Sequence, residues 1–216
     1  MKPEVLPDSA IRITSHELLA LLSFNPGPGA ELSRGVLVLA DLPADNDLVR
    51  AGLTTLNVRD MAEIAGEEVN LLGGARILSV ILSTATQWYE VSRFGAKSSL
   101  PSYLVSSPHG RAALFLRPLS EYVCLPLLED ADLLDLVAQT VNGAVEEAQG
   151  MDGGLVVTRQ HASGKDVVVA NVKVNADGTR QLAALPMTED GQLTVTAIPA
   201  GQLPGDVVRG KFPSAA

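Results

Sequence analysis

Few residues in this chain are of a type and spacing that could do chemistry. The densest group is acidic: Glu129, Asp130, Asp132 and Asp135 fall within seven positions. Four carboxylates suggest a divalent cation, but the spacing lacks the alternating ligands and central glycine of a calcium loop. The same acids stand just ahead of an apolar-periodic stretch, where they cap a helix and meet the positive end of its dipole. The lone cysteine, Cys124, lies between Val123 and Leu125 and is followed by acids, the reverse of the electropositive setting that activates a thiol. The three histidines, His16, His109 and His161, show no metal-motif spacing and fall in a helix first turn and in or near hairpin turns. The glycine-rich segments Asn25–Gly29 and Ser163–Lys165 are neither phosphate loop nor dinucleotide fingerprint, and there is no nucleophile elbow. The expectation is no catalytic residue, no metal and no cofactor.

The composition points the same way. The chain has 216 residues, 46% of them apolar but only 4% aromatic, so its core is built from Leu, Val, Ile and Ala. The formal charge is −9, with 16 basic residues scattered singly, which disfavours a phosphate backbone and excludes nucleic acid as an expected partner. One cysteine cannot form an intramolecular disulfide framework. The N-terminal stretch has acids and prolines where a signal peptide needs a basic flank and an apolar core. The longest apolar region, Leu71 to Ala85, is interrupted and too short to span a bilayer. A cytoplasmic protein without membrane insertion is expected.

The elements that must position any site follow from periodicity. An edge strand through Ala10–Ile13 leads to Thr14, and Glu17 three residues on completes the capping-box spacing ahead of a leucine-rich helix. The Asn25-Pro-Gly-Pro-Gly stretch ends that helix. Arg34–Ala40 reads as a short strand, and Asp45 or Asp47 caps a helix through Leu48, Ala51 and Leu56, with Gly52 its weak point. Asp60–Val91 reads as two helices, or one long helix jointed at Gly73-Gly74, because Leu71, Ala75, Leu78, Leu82, Ala85 and Tyr89 form an apolar seam. From Ser102 strands dominate: three around the His109-Gly110 turn and through Tyr122–Leu127, a helix from Leu133, then a four-strand meander over 155–198 and a short helix. Strand, hairpin, strand and helix thus come twice, with Asp177-Gly178 standing where His109-Gly110 stood. The expected fold is α+β, a mainly antiparallel central sheet of about seven strands flanked by helices. A pseudo-twofold repeat is its candidate organisation. The expected divisions are an N-terminal helical region (1–98), a first strand-hairpin-strand-helix unit (99–150) and a second β-rich unit (151–216), in one compact domain.

Two features are not absorbed by core packing: the Pro108-His109-Gly110 hairpin tip, and the apolar surface of Ile77, Ile81 and Trp88, which extends beyond one helix face. Loops projecting from rigid sheets are good recognition elements. These six residues are the candidate partner-binding set.

Several short motifs carry a family resemblance. Leu48-Val-Arg-Ala-Gly-Leu53, Gly110-Arg-Ala-Ala-Leu ahead of Tyr122-Val-Cys-Leu-Pro-Leu-Leu, and Asp177-Gly-Thr-Arg followed by Asp190–Ala200 resemble the EspG family of type VII (ESX) secretion chaperones. The resemblance implies a central antiparallel sheet with helical subdomains and no catalysis. It also implies a partner that is a small helical secreted protein, such as a PE–PPE pair, held by its apolar tip. The chain departs from the family after Pro199, where a longer helical region is expected. Two other readings stay open on the residues: an enzyme or small-ligand protein with a pocket between the sheet halves, and a structural homodimer.

Overall fold

The computed structural model describes residues 7, 9–40, 46–66, 68–95, 100–149 and 153–213. Six α-helices and two sheets lie among them. The large sheet is antiparallel and has nine strands in the order β1-β7-β6-β5-β4-β8-β9-β10-β11; β2 and β3 form a separate hairpin. The strands are β1 (Ile11–Thr14), β2 (Ala62–Ala65), β3 (Glu68–Leu71), β4 (Gln87–Gly95), β5 (Ser102–Ser107), β6 (Gly110–Arg117), β7 (Glu121–Leu127), β8 (Gly154–Ala162), β9 (Val168–Val174), β10 (Arg180–Met187) and β11 (Leu193–Ala197). Two uncrossed four-strand runs, β4–β7 and β8–β11, are each followed by a helix: α5 (Leu133–Gln149) and α6 (Pro204–Arg209). The order of the sheet therefore reads outward the same way from the β4–β8 pair.

The α+β expectation holds, with more strands than the seven anticipated. The expected helix over Asp60–Val91 is broken up. Only α4 (Gly73–Ser83) is helical there, between the β2–β3 hairpin and β4. Leu71 and Tyr89 matched the helical period by coincidence, since both lie in strands. The stop is chemical: Thr84 turns its hydroxyl onto the Val80 carbonyl (2.6 Å), and the β-branched residues Thr84 and Thr86 lead into a strand. The expected strand at Arg34–Ala40 is also corrected. Pro28 stands at the first turn of α2 (Pro28–Val36), where its missing N–H costs nothing, so the second proline of the breaker opens a helix that ends in the Val36–Leu39 run. The acids expected to cap α5 do so: Asp132 Oδ1 accepts from the backbone of Leu134 (2.8 Å) and Asp135 (3.2 Å). The expected linker over Phe94–Pro101 begins too early, since Phe94 and Gly95 belong to β4, and its positions 96–99 lie outside the described residues.

The chain groups into two compact units: Met1–Gln87 with Val105–Ala131, and Trp88–Leu104 with Asp132–Ala216. In the first, α1 (Ser15–Ser23) is the hub, with Leu18, Leu19, Leu21 and Leu22 buried. α3 (Asn46–Val58) crosses it so closely that a Cβ on Gly52 would sit 2.1 Å from the His16 carbonyl oxygen. Gly52 is therefore a contact point and not a weakness. Ser79 Oγ donates to the Leu21 carbonyl (2.9 Å) and Ser33 Oγ to that of Leu82 (2.6 Å), tying α4 to α1 and α2.

The second unit lays α5 and α6 against one face of the meander. Val156, Thr158, Gln160, Ala170, Val172, Val174, Leu182 and Ala184 are buried, alternating along β9 and β10, while in β8 Val157 is buried as well. Gly205 N–H donates to Asn142 Oδ1 (2.7 Å) and Arg209 reaches Asp132 (3.2 Å), which locks α6 onto α5.

Candidate functional site: a groove beside the 107–111 turn

The groove is built inside the first unit from three pieces. The β5–β6 hairpin turns through Pro108-His109-Gly110. Ser107 Oγ holds this turn, accepting from the His109 N–H (3.1 Å) and donating to the Gly110 carbonyl (3.1 Å). Gly110 has φ +141°, and an added Cβ would stand 3.3 Å from Ile81 Cδ1, so the turn packs flush on α4 only because the residue is glycine. The α4 face supplies Ile77 and Ile81. The end of β7 supplies Pro126 and Leu127, which the hairpin register places opposite Ala112 and Arg111. Arg111 Nη1 donates to the Ala131 carbonyl (2.6 Å), anchoring the segment after β7.

Together Ile77, Ile81, Ser107–Arg111, Pro126, Leu127 and Glu129 enclose an open groove of about 490 Å³. Ile77 is 53% exposed along it, while Ile81 is buried at its base. Beneath, Ile11, Leu78, Ala112 and Cys124 continue the apolar wall without room for water. Burial raises the pKa of the Cys124 thiol well above its ordinary value, so it stays protonated and inert, as its sequence context indicated.

Five of the six candidate residues, Ile77, Ile81, Pro108, His109 and Gly110, thus meet in one groove. Trp88 does not join them. It lies in β4, fully buried, with its ring edge-on to Tyr103 (centroids 6.2 Å, 87°), and offers no surface to a partner. Ser107, Arg111, Pro126, Leu127 and Glu129 were missed. The signal was present in the β6–β7 register, which follows from the short Pro118-Leu-Ser120 turn and puts Leu127 across from Arg111.

A second polar cluster lies in the other unit. Glu90 accepts from Arg159 Nη1 (2.9 Å) and Ser92 Oγ (3.1 Å), with His161 Nε2 at 3.6 Å. Burial opposes the charge on Glu90, but His161 and Arg159 together bring its pKa below the ordinary value. This carboxylate is held ionised by fixed partners, which suits a structural ion pair. Among the described residues no group of His, Cys, Asp or Glu is arranged to hold a metal ion, and no helix is long and apolar enough to cross a membrane.

No family model and no curated protein matches the chain. One solved structure, that of the Mycobacterium tuberculosis type VII secretion system chaperone EspG5 in complex with a PE25–PPE41 dimer, is similar over 94% of this chain and 94% of its own. The TM-score is 0.48 and the sequence identity 12%.

Proposed function

We propose that this chain is a non-catalytic binding protein of the secretion-chaperone kind, and that its groove receives the apolar tip of a small helical secreted protein. The observation that carries the reading is the groove itself: an open trough on rigid elements, where half-exposed Ile77, Pro126 and Leu127 offer an apolar strip among the polar lining groups of Ser107, His109, Arg111 and Glu129. Such a trough favours an apolar knob ringed by polar groups, because the floor gains from excluding water while the rim groups keep theirs. The partner class follows the EspG-like motifs of the sequence. Covering the partner's tip would keep it soluble until export.

The test is calorimetric titration with a purified PE–PPE-type pair from the same genome. Ile77→Asp places a charge against the apolar contact and is expected to weaken binding by roughly tenfold or more, from the ~1.5 kcal/mol of lost burial alone. Unaltered affinity in this variant, or no binding by the parent chain, would overturn the reading.

A further inference from the structure

The last strand of the large sheet is bare. The Ile198 N–H donates to the Arg180 carbonyl (3.0 Å), and the register continues Ala197↔Gln181, Thr196↔Leu182, Val195↔Ala183 and Thr194↔Ala184. Strand alternation then turns the amides of Thr194 and Thr196 toward β10 and leaves the N–H and C=O of Val195 and Ala197 facing outward. Among the described residues no side chain or loop caps these outward groups. Val195 is 59% exposed. Leu193–Ala197 contains no charge and no proline, and Thr194, Val195 and Thr196 are three β-branched residues in a row. The usual protections of an edge are absent, apart from a bulge opposite the N-terminal end of the strand.

We propose that β11 pairs antiparallel with β11 of a second copy of this chain, so that the two nine-stranded sheets join across a local twofold axis. With Val195 opposite Val195, Ala197 meets Leu193 of the other copy, and the outward groups of each strand are the complement of the other's. Charge favours this arrangement. An acidic turn, Glu189-Asp190, precedes β11. Antiparallel copies set the two acidic turns at opposite ends of the seam, whereas a parallel partner would align acid with acid.

Sedimentation velocity of the full chain across a concentration series tests this. The parent is expected to form dimers. Val195→Pro removes an outward N–H and sets its ring in the seam without touching a β10–β11 bond, and Val195→Lys sets like charges against each other at the axis. Each is expected to weaken dimerisation by more than roughly tenfold. Circular dichroism confirms that each variant is folded, and the lysine variant decides the matter if the proline variant is not. A parent monomeric at every concentration, or a dimer that survives in the folded variants, overturns the proposal.

Discussion

The two edges of the large sheet meet solvent in opposite ways. At β1 the chain turns straight into a helix, and Thr14 is both the last strand residue and the helix cap. The capping-box acid Glu17 therefore lands on the strand edge. Its Oε2 accepts the Thr14 N–H (2.7 Å), and both its oxygens accept from Arg59 Nη1 (2.9 Å each). Arg59 Nη2 in turn donates to the Arg12 carbonyl (2.7 Å). One ion pair thus occupies two backbone groups of β1 that β7 does not, and the edge is closed. β11 has no such neighbour. Six residues separate it from α6, and that helix goes to α5. Edge closure in this fold comes from how soon a helix follows the strand.

Breaking the closed edge should have the largest effect. Glu17 is fully buried, and Glu17→Ala leaves the Arg59 charge and the Thr14 N–H without their partner and loosens the hold of Arg59 on the Arg12 carbonyl. Removing one member of a buried pair costs about 3 kcal/mol. Urea denaturation is expected to show a loss of that order, and hydrogen exchange should show β1 amides opening while those of β11 hold their rate. A variant as stable as the parent would mean that the pair is ornamental and that the two edges do not differ.

Half of this contrast was legible in the sequence. Thr14-x-x-Glu17 announced the cap, and the alternation of Leu193–Ala197 announced the strand, because both signals are local. Arg59 was not legible: nothing in the turn that follows α3 marks an arginine whose partner lies 42 residues earlier. The same limit explains the groove. Pro108-His109-Gly110 and Ile77–Ile81 stood out singly as an unusual turn and an over-apolar helix, but their meeting depends on Ser79 and Ser33 tying α4 in place, and those are long-range bonds. The overreach came from period counting. A helical seam drawn from Leu71 to Tyr89 ran through two strands and carried Trp88 to the surface on paper, whereas β4 is buried on both faces and suits aromatic residues.

A second difference lies in the turns. On the β11 side the β9–β10 turn places Gly178 at φ +81°, where glycine is at ease. On the β1 side the β6–β7 turn puts Leu119 (φ +65°) and Ser120 (φ +56°) in the left-handed region, with Leu119 97% exposed. That geometry suits Asn-Gly far better. Leu119→Asn with Ser120→Gly should therefore stabilise the chain by about 1 kcal/mol, read as a higher urea midpoint. No gain would show that the tip is not strained and that the two turns are equivalent.

The smallest effect concerns acid. Glu121, on β7 beside β1, has its pKa lowered, first by its hydrogen bond with Arg12 and then by the charges of Arg12, Arg117 and Arg59 against a burial penalty. A carboxylate with a lowered folded pKa contributes stability that is fully present above its unfolded value and is lost as pH falls through the folded one. The pair is exposed and screened by salt, so the contribution is modest. On acidification through the carboxylate range, β1 amides should lose protection before those of β11, which faces no carboxylate paired in this way. Arg12→Ala should move the Glu121 titration, followed by carboxyl NMR, up toward the ordinary glutamate value and cancel that early loss. If β1 and β11 open together in the parent, or if Glu121 titrates unchanged in the variant, then Arg12 does not hold the edge and its closure rests on Glu17 and Arg59 alone.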